Sequence, residues 1–259
     1  MNTASLTMLE TRVDVLTIED LHAHIAESIR SGGRRIFASQ NLHSVYLQRT
    51  DPKLRSFYAR ADYVRIDGMA IVLLGRLLGL PLRREHRVTY VDWLPVFMAE
   101  AARAGWRVFY LGSTPGVAER AAPLLRARFP GLQIATAHGY FDASPGSPEN
   151  DHVVATINAF RPHVLMVGMG MPRQQHWVLE NHEKLLVNAI STSGAALDYV
   201  AGDIPTPPRW LGQVGLEWLF RLLVEPRRLA GRYLVEPWYI LPLVAKQLLR
   251  RARRDGPAV

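Results

Sequence analysis

The 259-residue chain has no cysteine, which excludes disulfides, thiolate metal sites and a cysteine nucleophile, and suits a reducing compartment. Its nine histidines include no H-E-x-x-H, and pairs such as His22 and His24 are not neighbours on a helix face, so no metal-ligand spacing is present. No D-x-D occurs, so a metal held between two carboxylates to carry a pyrophosphate is not indicated. The absence of G-x-S-x-G argues against a hydrolase elbow, and that of G-x-G-x-x-G against a dinucleotide enzyme. No helix-turn-helix, zinc-finger or RNA-binding signature accompanies the positive charge, so no nucleic acid is expected as a partner. Long apolar runs are missing too. The N-terminus, with Glu10, Asp14, Glu19 and Asp20, reads as neither a signal nor a transit peptide. The best candidate span, residues 233–249, is interrupted by Glu236, Pro237, Pro242 and Lys246, so it is expected to lie on a membrane rather than cross it.

What is present is a folded composition, 48% hydrophobic, with a formal charge of +8. That charge is concentrated late: nine Lys or Arg residues lie between Arg221 and Arg254, against Glu225 and Glu236, so attraction to anions is largely C-terminal. Short β-branched or aromatic runs at 35–39, 63–66, 108–111, 133–137, 164–167 and 186–190 predict strands, alternating with amphipathic helices such as 117–128 and 148–160. This alternation predicts an α/β fold, a Rossmann-like sandwich with a mostly parallel sheet. The run Gly202-Asp203-Ile204-Pro205-Thr206-Pro207-Pro208 resists regular structure and marks a boundary. Two units are therefore expected, 1–203 as the sheet domain and 204–259 as a helical, basic appendage.

In a parallel sheet, ligands sit beyond the carboxyl ends of the strands. Asp67, in Arg65-Ile66-Asp67-Gly68, follows a predicted strand and precedes a helix from Met69. It suits either a general base or an N-cap. The loop from Gly168 through Gly170 and Pro172 to Gln174 lets backbone amides approach a phosphate, or is a tight turn with Pro172 at the first helical position. Gly112-Ser113-Thr114-Pro115 repeats that design, with Ser113 or Thr114 as caps of a helix starting at Pro115 in the plainer reading. Arg221, Arg228 and Arg232 recur at seven and four residues, near one stripe of a helix at about 100° per residue. They suit phosphate beside a lipid surface, or a solvated basic face.

Together these segments resemble the WecG/TagA/CpsF family of bacterial glycosyltransferases, glycosyltransferase family 26, from about residue 13 to residue 234. The matching pieces are Ser39-Gln40-Asn41, Ile66-Asp67-Gly68, Tyr110-Leu111-Gly112, Phe129-Pro130-Gly131, Gly139-Tyr140-Phe141, 167–174, 198–202, 217–222 and 225–228. The resemblance implies inverting transfer of a hexose, of glucose or N-acetylmannosamine type, from a UDP-sugar onto a polyprenyl-pyrophosphate-linked sugar. The new linkage would be β, and the product a surface polysaccharide, exopolysaccharide or cell-wall glycan. No metal or other cofactor is implied.

By the same resemblance Asp67 is the base, with Ser39 and Asn41 beside the donor sugar. Gly112, Gly139, Tyr140, Gly168, Gly170 and Gln174 hold UDP, Asp198 fixes its nucleoside end, and Arg221, Arg228 and Arg232 clamp the acceptor pyrophosphate. The expected location is the cytoplasm, peripheral on the inner face of the plasma membrane, with an anionic membrane surface as partner and the exposed apolar side open to pairing with a second copy. The alternative is a catalytically poor subunit that binds nucleotide-sugar or lipid pyrophosphate in a glycan assembly complex. Departures from the family pattern are Ser39 for threonine, Gln175 for glutamate, Thr206 for arginine, Tyr90-Val91-Asp92 without the glycine usual before the aspartate, and the loop 191–197 for a glycine-rich, phenylalanine-containing one.

Overall fold

The computed structural model describes residues 3–255, without the side chains of Gln213, Arg254 and Asp255. The side chain of Arg254, in the closing basic cluster, thus lies outside the described residues. The chain opens with the hairpin β1 (Ser5–Met8) and β2 (Thr11–Asp14), then α1 (Ile18–Arg30), β3 (Arg35–Gln40), α2 (Leu42–Thr50), α3 (Pro52–Arg60), β4 (Tyr63–Ile66), α4 (Met69–Leu77) and α5 (Tyr90–Ala104). It continues with β5 (Arg107–Gly112), α6 (Val117–Arg128), β6 (Gln133–Ala137), α7 (Pro148–Phe160), β7 (Val164–Gly168), α8 (Arg173–Asn181), β8 (Ala189–Thr192) and α9 (Ala196–Ala201). Last come α10 (Arg209–Val214), α11 (Glu217–Val224), α12 (Pro226–Ala230), a π-helical turn over Gly231–Val235, and α13 (Glu236–Asp255).

Six strands form one sheet in the order β4-β3-β8-β7-β5-β6, every neighbouring pair parallel, which is the α/β sandwich expected. Its strands are apolar on both faces because helices cover both. Phe37, Val108, Tyr110, Val164 and Met166 pack toward α1, α5, α6 and α9. Their neighbours Ile36, Ala38, Phe109, Leu111, Leu165 and Val167 pack toward α3, α7 and α8. Sequence-local signals start the helices: Thr17 with Asp20 and Asn41 with Ser44 are capping boxes, and Asp51-Pro52 and Ser147-Pro148 place a cap before a first-turn proline.

Two elements depart from expectation. The last strand lies at 189–192, not 186–190: Leu186 is exposed, and pairing begins where Ala189 meets both Arg35 and Val164. This carries Thr192 to the carboxyl edge. The hairpin β1–β2 turns on Leu9 and Glu10, both with positive φ, in a two-residue loop normally marked by Asn or Gly. Burial of Leu9 beside Met8, Val13, Ile71, Val72 and Leu82 compensates, and Ile240, Leu243 and Val244 of α13 close the same cluster. The appendage thereby packs one face of α13 on the hairpin and α4, and Leu9 N–H donates to Gln247 Oε1 at 2.8 Å. Among the described residues no helix is long and apolar enough to cross a membrane.

Candidate active site

Ser39, Asn41 and Asp67 meet at the carboxyl ends of β3 and β4, which pair with Gln40 beside Ile66. Asp67 is half-buried, its N–H donates to Gln40 O at 2.8 Å, and Asn41 Nδ2 donates to its Oδ2 at 3.3 Å. Asn41 is also the cap of α2, accepting from Ser44 N–H at 3.1 Å, so one side chain fixes both the helix and the carboxylate. The N-cap alternative for Asp67 is overturned. Gly68 occupies the N-cap of α4 and no side chain caps that helix, because its φ of 110° turns the chain before Met69. Ser39 is buried, its N–H donating to Thr192 Oγ1 at 3.2 Å and the two hydroxyls 3.1 Å apart.

Two residues before Asp67, on β4, Arg65 is fully buried between Tyr90, with 4.3 Å from guanidinium carbon to ring centre, and Trp93, at 5.5 Å. It donates to Val88 O and, at 3.3 Å, to Thr192 O. Burial pulls its pKa down to about 10, opposed by Asp67 and Tyr58. Burial also raises the Tyr58 hydroxyl, which donates to Ser39 O at 2.7 Å.

On the other half of the edge, the glycines are set by packing against one another. A Cβ on Gly112 would overlap the Gly168 backbone, one on Gly168 would overlap the Tyr110 hydroxyl and Gly194 O, and one on Gly139 would press on Met169 and Gly112. Gly170 differs, with φ +76° and open space around it. Ser113 and Thr114 do not cap α6, which starts at Val117 behind Gly116 without a side-chain cap. Ser113, at φ 60°, instead donates to Asp198 Oδ2 at 2.7 Å and lies 3.1 Å from the Tyr110 hydroxyl. Pro172 is the N-cap of α8, one place before the first helical position expected. Gln174 is buried and its Oε1 accepts from Gly194 N–H at 3.2 Å, tying the β7 and β8 loops together, while Tyr140 is exposed. Gln175 is fully buried, so replacing a glutamate there removes a charge from the interior.

The three arginines do not share one helix face. Glu225-Pro226 breaks the run, leaving Arg221 on α11, Arg228 on α12 and Arg232 in the π-helical turn. Arg228 is exposed and chelated by Glu225 at 2.8 and 2.5 Å. Arg221 and Arg232 turn inward and both feel the charge of Asp67. For Arg221, burial is outweighed by Tyr199, Tyr233, Asp67 and Glu225, and the pKa rises. For Arg232, burial prevails, aided by repulsion from Arg221, and the pKa falls. The buried Arg221 Nε has no hydrogen-bond partner among the described residues.

The carboxyl edge of the sheet thus carries a half-buried carboxylate, loops packed glycine against glycine, and two inward arginines of the helical tail within the electrostatic reach of that carboxylate. Residues 6–254 match the model of the Glycosyl transferase WecG/TagA/CpsF family. The chain belongs to this family. It is 26% identical over 253 residues to the N-acetylglucosaminyldiphosphoundecaprenol N-acetyl-beta-D-mannosaminyltransferase of Staphylococcus aureus strain NCTC 8325 / PS 47, covering 93% of this chain and 96% of that protein. Proteins of the same name from strains COL and MW2 match equally. The family match reaches past 13–234 at both ends, into β1 and α13, the two elements joined through Leu9 and Gln247. Within this WecG/TagA/CpsF protein, sequence reasoning missed Arg65, Thr192, Ser113 as a partner of Asp198, and His43, which on α2 meets Glu236 at the start of α13. The signal for Arg65 was its place on β4, two residues before Asp67; Thr192 was hidden because β8 ends two residues later than the expected strand.

Proposed function

We propose that this glycosyltransferase moves N-acetylmannosamine from UDP to a sugar carried on polyprenyl pyrophosphate, with inversion to a β linkage, in the synthesis of a cell-surface glycan. Of the two hexoses the resemblance implies, the relatives' name supports N-acetylmannosamine and not glucose. It likewise supports a transferase over a binding subunit. The observation that carries the reading is the placement of Asp67, held by Asn41 at the sheet edge, in the field of Arg221 and Arg232.

Asp67 takes the proton of the acceptor hydroxyl, whose oxygen attacks the anomeric carbon as the bond to the UDP phosphate oxygen breaks. Ser39 and Asn41 line the pocket beside the donor sugar. UDP lies along Gly112, Gly139, Tyr140, Gly168, Gly170 and Gln174, with Asp198 at its nucleoside end. Of the UDP loops Gly170 leaves the most room for a phosphate to approach backbone amides. Arg221 and Arg232, with Arg228 after release from Glu225, hold the acceptor pyrophosphate, and preset amides and guanidiniums spread the leaving charge. The unit 1–203 supplies the sheet edge, and 204–259 brings it to the anionic inner face of the plasma membrane.

The test is UDP release from a panel of UDP-hexoses, with and without a polyprenyl-pyrophosphate-linked sugar, in buffer containing chelator. Acceptor-dependent release from UDP-N-acetylmannosamine is the expected result. Release from UDP-glucose alone would overturn the donor, and release only after a divalent metal is restored would overturn the metal-free mechanism.

A further inference from the structure

The arginine-bearing segment from 217 to 235 has little of its own to hold it in place. In that stretch only Leu229 is fully buried, and Leu219, Leu223, Val224, Leu234 and Val235 are exposed. Core packing alone therefore does not decide where Arg221 and Arg232 sit. We propose that Glu217 and Glu236 are positioning residues that latch the two ends of this segment to the sheet domain, Glu217 through Arg87 and Glu236 through His43.

At the first end, Arg87 Nη1 donates to Glu217 Oε2 at 2.8 Å and Nη2 to Asp92 Oδ2 at 2.5 Å, with the Arg87 side chain only 8% exposed. Arg209 adds an ion pair to Asp92 at 3.3 Å and a bond to Val91 O at 2.8 Å. At the second end, His43 Nδ1 lies 2.9 and 2.8 Å from the two Glu236 oxygens. Burial, with Arg228 and Arg232 nearby, pulls the His43 pKa down to about 4, and burial raises Glu236 to about 7, so at pH 7 the pair is held by a hydrogen bond between the imidazole and the carboxyl group.

Both anchors belong to the supports of Asp67 itself. His43 is two residues beyond Asn41, which holds the carboxylate. Arg87 bridges Ile66, the residue before Asp67, and Val88 N–H donates to Ile66 O at 2.9 Å. The latches thus tie the distance between the arginines and Asp67 to the backbone that carries Asp67.

This rests on the proposed acceptor role of the arginines, so the test pairs a kinetic readout with one that needs no activity. Glu217→Ala, Glu236→Ala, His43→Ala and the His43→Ala/Glu236→Ala double variant of the full chain are compared with wild type. Amide hydrogen exchange over 217–235 is expected to quicken about tenfold in each single variant, what the loss of one hydrogen bond between partly buried groups gives. KM for the lipid-linked acceptor should rise by a similar factor while KM for the UDP-sugar stays put. The double variant should be no worse than either single one, since the two residues act as a pair. Glu236→Gln, which keeps an acceptor for His43, should restore most of the loss and guards against misfolding of the alanine variants. Unchanged exchange, additive effects in the double variant, or donor and acceptor KM rising together would overturn the latch. If wild type has no turnover, the proposed function fails, and the exchange data still decide the latch.

Discussion

Asn41 does two jobs with one amide, since its oxygen caps α2 and its nitrogen donates to Asp67. The two can be separated. Asn41→Asp keeps a good cap but sets a second carboxylate against Asp67, so the acid limb of the pH–rate profile should move to higher pH through like-charge repulsion. Thermal unfolding should show α2 still capped, whereas Asn41→Ala should lose both, at about 0.5–2 kcal/mol for the cap. The glycines make a different prediction. Gly168→Ala meets the Tyr110 hydroxyl and Gly194 O, so it should lower stability by about 1–3 kcal/mol or more through overpacking, measurable by urea unfolding; Gly170→Ala meets no neighbour and is limited to the strain of φ +76°. At this scale the sequence made Asp67 legible, because a carboxylate after a strand in an α/β chain lies at the ligand edge. It hid which loop residues were occupied by their neighbours. Ser113, Gln174 and Asp198 are committed to contacts between loops distant in sequence, and no local pattern carries such partners.

Helix and strand spans were largely readable, α6 and α7 at their observed bounds, since amphipathic period and proline caps are local properties. The C-terminal run was not. Spacing of seven and four describes one stripe only if the helix is continuous, and Glu225-Pro226 interrupts it. The hairpin stayed hidden because Leu9 and Glu10 adopt positive φ without the usual turn residues. Between α2 and α13, His43 and Glu236 titrate in opposite senses, both shifts arising first from burial and both groups facing Arg232, His43 also Arg228. Glu236 is raised to about 7, so its contribution to stability is present below its unfolded value and is lost as pH rises toward 7. His43 is lowered to about 4, so its contribution is present above its unfolded value and is lost as pH falls toward 4. In wild type the two trends offset. Glu236→Gln should therefore destabilise more at pH 5 than at pH 7, and His43→Asn more at pH 7 than at pH 5, by urea unfolding at the two pH values. Equal losses at both would contradict the opposed titrations.

The whole molecule is asymmetric. Of the 19 exposed large hydrophobic side chains among the described residues, 13 lie between Trp210 and Leu249, a stretch that overlaps the basic segment 221–254 with its nine Lys or Arg against two Glu. Exposed apolar side chains beside cations fit the anionic membrane surface proposed above as a partner. Trp238→Ser with Leu241→Ser should weaken binding to anionic vesicles at least about tenfold, given ~1.5–3 kcal/mol for each large apolar side chain buried. UDP binding should be unaffected, and added salt should weaken what remains. The same surface is open to pairing between copies, and sedimentation with and without vesicles should show release of a dimer on lipid. A single unchanging size would remove that pairing. All of these arrangements converge on one carboxylate at one sheet edge. The most direct measurement is single-turnover formation of glycosylated lipid from UDP-N-acetylmannosamine by wild type and Asp67→Asn, with UDP affinity measured alongside. The account predicts a β-linked product from wild type and a loss of about 10²–10⁴-fold in Asp67→Asn with UDP binding retained; a variant that transfers at the wild-type rate would contradict it.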